Sequence, residues 1–391
     1  MSKAPLINFE LWYTNDDAQD QHKIYSTLEH LIYKDIDRAI PIDTIFGLLL
    51  CEGFLYRNNE DFYALLSRVE RYAKSKGVKK LYLIAGICEQ YQQELDERNL
   101  DYTIIFWDYS VGCVWESYKN RLDQTLPWNP YANKFLFLTG VPSRPNRIGL
   151  LSKFYDKKLL SSSMWSFFPP WTDEDKQWCR NHLTKYSDIE YDEFINFCDQ
   201  SVDDLYKDAK EYSRLTGKQW AEGSIKDKNF IKDPNWIDPD IFWNSNLSVI
   251  SEGHVYPPAN DSKFLTEKTW RAVVNKHPIL LADSTDRYVY LQGRGLKTID
   301  KYLSVPNYAY FDNYDLRMDA VTVNVEYFLN HATEHQEEIE KDIDHNFLRF
   351  LKIVKENEVT LKWLNTDFLI TEDEIKKWFR QSGFTHLFRE P

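Results

Sequence analysis

Residues 80–107 read KLYLIAGICEQYQQELDERNLDYTIIFW, and this stretch decides the fold class. Residues 80–86 are a short apolar run ending in glycine, 89–98 form a polar helix candidate, and 102–107 are a second buried strand. Short apolar runs that alternate with helical segments build a parallel sheet flanked by helices.

The same rhythm extends in both directions. Towards the amino end, residues 6–13 (LINFELWY) read as a strand, and residues 60–76 place apolar side chains at helical spacing before the stop signal Gly77. Towards the carboxyl end, prolines and asparagines cluster at 125–134 and mark a boundary. The pattern then restarts with a strand at 135–139, a loop at 140–146, a helix at 147–160 and a strand at 164–168. Residues 171–214 are helical and acidic, and 222–245 are irregular, with Pro234 and Pro239. The sheet pattern resumes through a strand at 247–251, a helix at 265–276, a strand at 278–282 and a further run at 287–293, ahead of a charged helical tail over 317–353.

The expected architecture is α/β with two Rossmann-like domains. Residues 1–130 form the first and 131–316 the second, which carries a helical insertion at about 171–245, and a helical segment follows over 317–391. Ligands in open α/β sheets bind beyond the carboxyl ends of the strands, which points to a cleft.

Composition narrows the function. The 391 residues are 43% hydrophobic and 28% charged, which suits packed cores and excludes general disorder. The 16% aromatic content suits surfaces that hold rings. With 48 basic and 61 acidic residues the net charge is −13, which argues against bulk coating of nucleic acid and leaves room only for a local basic groove. Cys51, Cys88, Cys113, Cys179 and Cys198 are odd in number, scattered and free of any CxxC pair, as in a reducing compartment. The best apolar run, Ile45–Cys51, is far too short to span a bilayer, and residues 1–13 lack a signal-peptide core. The expectation is a soluble, cytoplasmic protein without a membrane span.

Three segments carry candidate chemistry. In 138–151 (LTGVPSRPNRIGLL) a strand runs into a loop with Arg144 and Arg147, and a helix opens. Free N–H groups and arginines at a helix start suit a phosphate; the plain alternative is a loop with solvated arginines. In 263–277 Thr266 is placed to cap a helix whose first turn holds Glu267 and Lys268. A carboxylate there can accept ribose hydroxyls and the lysine can reach a diphosphate, although a Glu/Lys helix start is also common on plain surfaces. In 248–256 a strand ends in Ser251, Glu252, Gly253 and His254, a polar set that can line a cleft, with His254 a candidate base. Local charge favours an anion: residues 132–161 hold six basic residues against one acidic, and 263–301 hold eight against four.

Several patterns are missing. The chain has no GxGxxG, GxxxxGK[ST], GxSxG or HExxH motif. A DxD sequence occurs once, as Asp238-Pro239-Asp240, and its central proline makes it a poor cation site.

Residues 264–281 (FLTEKTWRAVVNKHPILL) resemble the fucosyltransferase signature, and the chain is similar to fucosyltransferase-like proteins of tailed phages and some bacteria. The likeness extends to FLFLTGVPSRPNRIGLLSKFYDKKLL (135–160), to Val249–Glu252, to the YL…GLKT segment Tyr290–Thr298 and to the His345-Asn346 pair. It covers roughly 132–350 and does not reach residues 1–125.

The resemblance implies a GT-B glycosyltransferase with a UDP- or GDP-linked sugar as donor and no obligatory metal. By the family pattern Glu267 binds the ribose and Lys268 the diphosphate. Arg147 or Arg144 neutralises phosphate, and Ser251 and Glu252 sit near the nucleotide or sugar, beside Thr266. The family typically inverts the anomeric centre by means of a carboxylate base from the amino-terminal domain. The candidates are Glu52, Asp43, Glu89 and Asp108, each near an expected strand end or loop. The acceptor it suggests is a hydroxymethylated or hydroxylated base in phage DNA, with the host cytoplasm as location. A glycan or protein acceptor and a non-catalytic nucleotide- or DNA-binding protein are the alternatives.

Overall fold

A computed structural model describes residues 4–8, 21–39, 43–49, 60–85, 91–138, 145–166, 237, 239–252 and 265–375. The chain divides into two compact units. The first is built from Met1–Gly112 and Ile353–Glu390, and the second from the described residues in between. Each contains a four-stranded parallel sheet, so the α/β class expected from the alternating pattern is present twice.

The first unit runs β1 (Leu6–Asn8), α1 (Gln21–Ala39), β2 (Thr44–Leu49), α2 (Glu60–Ser75), β3 (Lys80–Ala85), α3 (Tyr91–Glu97) and β4 (Thr103–Phe106). Its strand order is the chain order, β1-β2-β3-β4. Successive right-handed crossovers in one direction put the helices on one face. Strand alternation then sorts the side chains. Ile45, Leu81 and Leu83 join Leu28, Ile32 and Ile36 of α1 and Phe62, Leu65, Leu66 and Val69 of α2 in one core. The intervening Phe46 and Tyr82 point the other way. There Phe46 meets Phe368 at 4.7 Å between ring centroids, and Tyr82 meets Trp363 at 6.1 Å. A late segment of the chain therefore covers the second face of an early sheet.

Local signals explain the ends of these elements. Helix α2 begins with Glu60 and Asp61, which suit its positive end. It stops before Gly77, whose φ of +93° few other residues adopt. The free edge of β4 is occupied by a side chain: Gln92 donates to the Tyr102 carbonyl at 3.1 Å and accepts from the Ile104 N–H at 2.7 Å. An edge satisfied in this way offers less to a foreign strand.

Helix α4 (Tyr109–Tyr118) follows β4. The second unit continues with β5 (Phe135–Leu138), α5 (Pro145–Asp156), β6 (Ser163–Ser166), α6 (Pro239–Trp243), β7 (Leu247–Ile250), α7 (Glu267–Val274), β8 (Ile279–Leu281), α8 (Thr285–Gly293) and α9 (Tyr314–His331). Helix α10 (Gln336–Phe368) comes last. The strand order is β6-β5-β7-β8. The chain leaves β5 towards one side and returns to β7 on the other, so a topological switch point lies between β5 and β7. Phe135, Phe137 and Phe154 form the ring cluster beneath this sheet, and Trp270 of α7 is fully buried.

The structure departs from the expected elements in two places. Residues 287–293, expected to continue the sheet, lie in helix α8. Ser284 caps that helix by accepting from the Arg287 N–H, and Tyr288 and Leu291 are buried at helical spacing. Residues 21–39, 44–49 and 109–118, to which the sequence reading gives no element, form α1, β2 and α4. The acidic stretch 171–214, and 222–245 up to residue 236, lie outside the described residues; within the remainder, Pro239–Trp243 is the short helix α6.

His277 stitches the start of β7. Its Nε2 lies 2.8 Å from the Ser245 carbonyl and its Nδ1 lies 2.8 Å from the Ser248 hydroxyl. Burial lowers its pKa to about 4, against the pull of the nearby carbonyls.

Two predictions follow from this packing. Phe46→Ala is expected to cost the first unit about 3–5 kcal/mol, read as faster amide exchange in β2 and β3; unchanged exchange would contradict the two-faced core. His277 stays neutral in the fold while the unfolded chain binds a proton below about pH 6.5. Its contribution is therefore whole above that pH and declines as pH falls towards 4, by about 2 kcal/mol at pH 5. Urea unfolding of the protein and of His277→Gln at pH 7 and pH 5 measures this, and equal losses in the two would count against it.

Candidate functional site

The best-defined polar cluster of the second unit lies at the carboxyl ends of β7 and β8, on the switch-point side of the sheet. Strand β7 delivers Ser251 and Glu252, both buried. Thr266, with its extended backbone and side-chain acceptance from the Lys268 N–H at 3.3 Å, is the N-cap of α7. The Thr-Glu-Lys start thus forms as its residue types dictate.

Glu252 organises this end of the sheet. Its carboxylate accepts the Thr266 N–H at 3.0 Å together with the hydroxyls of Thr266 and Thr269. A negative group therefore already stands at the positive end of α7. Arg147, from the first turn of α5 and only 3% exposed, donates to the Glu252 carbonyl.

Asp283, just beyond β8, holds the other side. Its carboxylate accepts the Glu252 N–H at 2.8 Å, the Ser284 N–H at 2.7 Å and Arg287 Nη1 at 2.5 Å. Its carbonyl accepts from Arg317 of α9 at 3.0 Å. Burial lowers the Arg317 pKa, with Asp283 opposing the shift.

On the outer turn of α7, Glu267 Oε1 lies 2.9 Å from Lys268 Nζ and 3.2 Å from Arg271 Nη2. Burial works against the Glu267 carboxylate, but Lys268 and Arg271 prevail and hold it well below the usual carboxylate range.

The cationic side chains Arg147, Lys268, Arg271, Arg287 and Arg317 thus accompany the carboxylates Glu252, Glu267 and Asp283, and Asp312 also acts on Arg317. Buried charge is costly unless compensated. On the outer turn of α7 two of these cations, Lys268 and Arg271, share the single carboxylate of Glu267, a local arrangement of the kind that attracts an anion.

Of the expected donor-side residues, Arg147, Ser251, Glu252, Thr266, Glu267 and Lys268 converge here; Arg144 lies outside the described residues, as does His254, a candidate base. Among the candidate bases, Glu52 and Glu89 also lie outside them. Asp43 is an exposed turn residue at the amino end of β2, where its carbonyl accepts the N–H groups of Lys79 and Lys80. Asp108 is buried beyond the carboxyl end of β4. Its Oδ1 accepts the Val111 N–H at 3.0 Å, and its backbone pairs on both sides with the Asn357 amide, at 3.1 and 2.8 Å. That geometry makes it the cap of α4.

Arg271, Asp283, Arg287 and Arg317 carry much of the site and were not among the sequence candidates. The readable signal was an apolar run ending in Asp283, a capping Ser284 and an arginine four positions on. Among the described residues, no group of three or more His, Cys, Asp or Glu side chains is arranged to hold a metal ion, and no helix is long and apolar enough to cross a membrane. No protein-family model, curated protein or solved structure matches the chain.

Proposed function

We propose that this protein is a metal-independent, inverting glycosyltransferase of the GT-B type, which moves a sugar from a UDP- or GDP-linked donor to a hydroxyl acceptor. The observation that carries the reading is the pair of cations, Lys268 and Arg271, held on the single carboxylate of Glu267 at the outer turn of α7. The resemblance of 264–281 to the fucosyltransferase signature supports it.

In this reading the diphosphate lies against Lys268 and Arg271 on the outer turn of α7. As the sugar departs, charge grows on the leaving diphosphate, and fixed cations there lower the barrier more than solvent does. Glu267 Oε1 already holds both cations, and Oε2 is the oxygen that takes a ribose hydroxyl. Glu252 and Asp283 act behind this face. They fix the starts of α7 and α8, so that the cations need not reorganise in the transition state. A carboxylate of the first unit removes the acceptor proton, with Glu52, Glu89, Asp43 and Asp108 as candidates. Asp108 is the one seen beyond the carboxyl end of its strand. A hydroxylated base in phage DNA is the acceptor that the resemblance favours.

Lys268→Ala is expected to weaken binding of the nucleotide-sugar about tenfold or more, since a charge-assisted contact is worth about 1.5–3 kcal/mol. Its side chain is 23% exposed, so the fold should tolerate the truncation. Calorimetric titration of both proteins with UDP- and GDP-sugars measures the effect. Unchanged affinity, or no binding by the unaltered protein, would contradict the proposal.

A further inference from the structure

A carboxylate that the proposed reaction does not use stands beside α8. Asp300 opens the single turn Asp300–Tyr302 that follows this helix. It lines a small cavity of about 10 Å³, room for about one water molecule. Leu281 of β8 and Tyr288 and Leu291 of α8 border the same cavity, with Thr298 and Tyr308. Two hydroxyls tie the carboxylate to the helix. Thr298 donates to Asp300 Oδ2 at 2.6 Å, and the buried Tyr288 donates to the Thr298 hydroxyl at 3.1 Å. Tyr308 meets Tyr288 edge-on at 6.2 Å between ring centroids and donates to the Leu281 carbonyl at 3.0 Å.

The charged groups around Asp300 are matched elsewhere. Lys297 also borders the cavity, but its Nζ lies 2.9 Å from Asp342 of α10. Lys301 lies 3.1 Å from that same carboxylate, which also accepts the Tyr302 hydroxyl at 2.9 Å. Arg287 of α8 pairs with Asp283. Arg317 of α9 donates to the carbonyls of Asp283 and Phe311. Tyr288 and Tyr308 present neutral hydroxyls, and burial together with Asp300 pushes Tyr308 well up. Among the described residues, no cation therefore pairs with Asp300. Burial pushes its carboxyl from the usual carboxylate range up to about 7.

We propose that Asp300 is a proton switch on α8, which holds the helix closed on the Asp300–Tyr302 turn while its carboxyl is neutral and loosens it once the carboxyl ionises. An enclosed charge without a counter-ion is costly, so loss of the proton favours an opened segment in which water reaches the carboxylate. The fold holds this proton more tightly than the opened chain does. The contribution is therefore whole below about pH 4, declines as pH rises and is lost above about pH 7. His277 titrates in the opposite sense, so the two groups offset each other over the same range. The switch concerns the stability of α8 and is measured without any nucleotide-sugar.

The test is amide hydrogen exchange of the full chain at each pH unit from 5 to 9, read on α8 by mass spectrometry, with Asp300→Asn alongside. The ratio of the two proteins' rates at one pH cancels the intrinsic pH dependence of exchange. That ratio, unaltered protein over Asp300→Asn, is expected to rise by about tenfold or more between pH 5 and pH 8 and then to level off. Thr298→Val removes the hydroxyl that donates to the ionised carboxylate. It should move the levelling-off upward by about one pH unit, whereas a merely structural contact would change the rate and leave that pH in place. Glu326→Gln, with the same change in charge at an exposed position of α9, should keep the pH dependence of the unaltered protein. A ratio that stays constant from pH 5 to pH 9, a levelling-off that Thr298→Val does not move, or a dependence that Glu326→Gln abolishes as Asp300→Asn does would overturn the proposal.

Discussion

The buried carboxylate of Asp283 is the interaction on which the second unit depends. It bridges the chain after β7, through the Glu252 N–H, to the start of α8, through Ser284 and Arg287. Its own carbonyl brings in Arg317 from α9. Two guanidinium groups are thereby held beside one carboxylate at a position where solvent does little to screen them. A lone buried charge costs several kcal/mol and is tolerated only when paired and hydrogen-bonded. Here the pairing is complete for Asp283.

The two sheets share a class and differ in what their topology allows. In the first, strand order follows chain order, the connecting helices gather on one face, and late aromatic residues cover the other. In the second, the order β6-β5-β7-β8 opens a switch point at which connections diverge. Strand ends beside that point bring Ser251, Glu252 and Asp283 together with the start of α7. The same local unit of strand, helix and strand therefore gives sheets of different strand order, and only the second brings a polar cluster to its strand ends.

Much of this was readable in the sequence, for identifiable reasons. Strands β3, β4, β5, β7 and β8 are short apolar runs between turns, and a buried parallel strand leaves that trace. Thr266 was readable as a cap because the side-chain acceptor, the acidic first turn and the apolar periodicity coincide. Strand β2 fell within the apolar run noted at Ile45–Cys51, but without a recognisable partner. Helix α1 was missed because its buried face, Leu28, Ile32 and Ile36, is a single stripe among polar residues. Residues 287–293 were misread because Tyr288, Val289 and Leu291 suit a strand locally, and the cap at Ser284 decides otherwise. The pairing of Asp283 with Arg287 and Arg317 could not be read at all, since it depends on how α9 returns to the sheet.

The central claim is that the charge excess around α7 is a nucleotide-sugar site, and a thermal-shift panel of UDP, GDP, ADP, CMP and their sugars tests it most directly. At about a hundred times its dissociation constant a bound donor stabilises the protein by about 2.7 kcal/mol. The account predicts a selective rise in melting temperature with one nucleoside diphosphate and its sugar, without added metal. An equally flat response to every nucleotide would contradict it and leave the Thr266–Lys268 turn as an ordinary helix start.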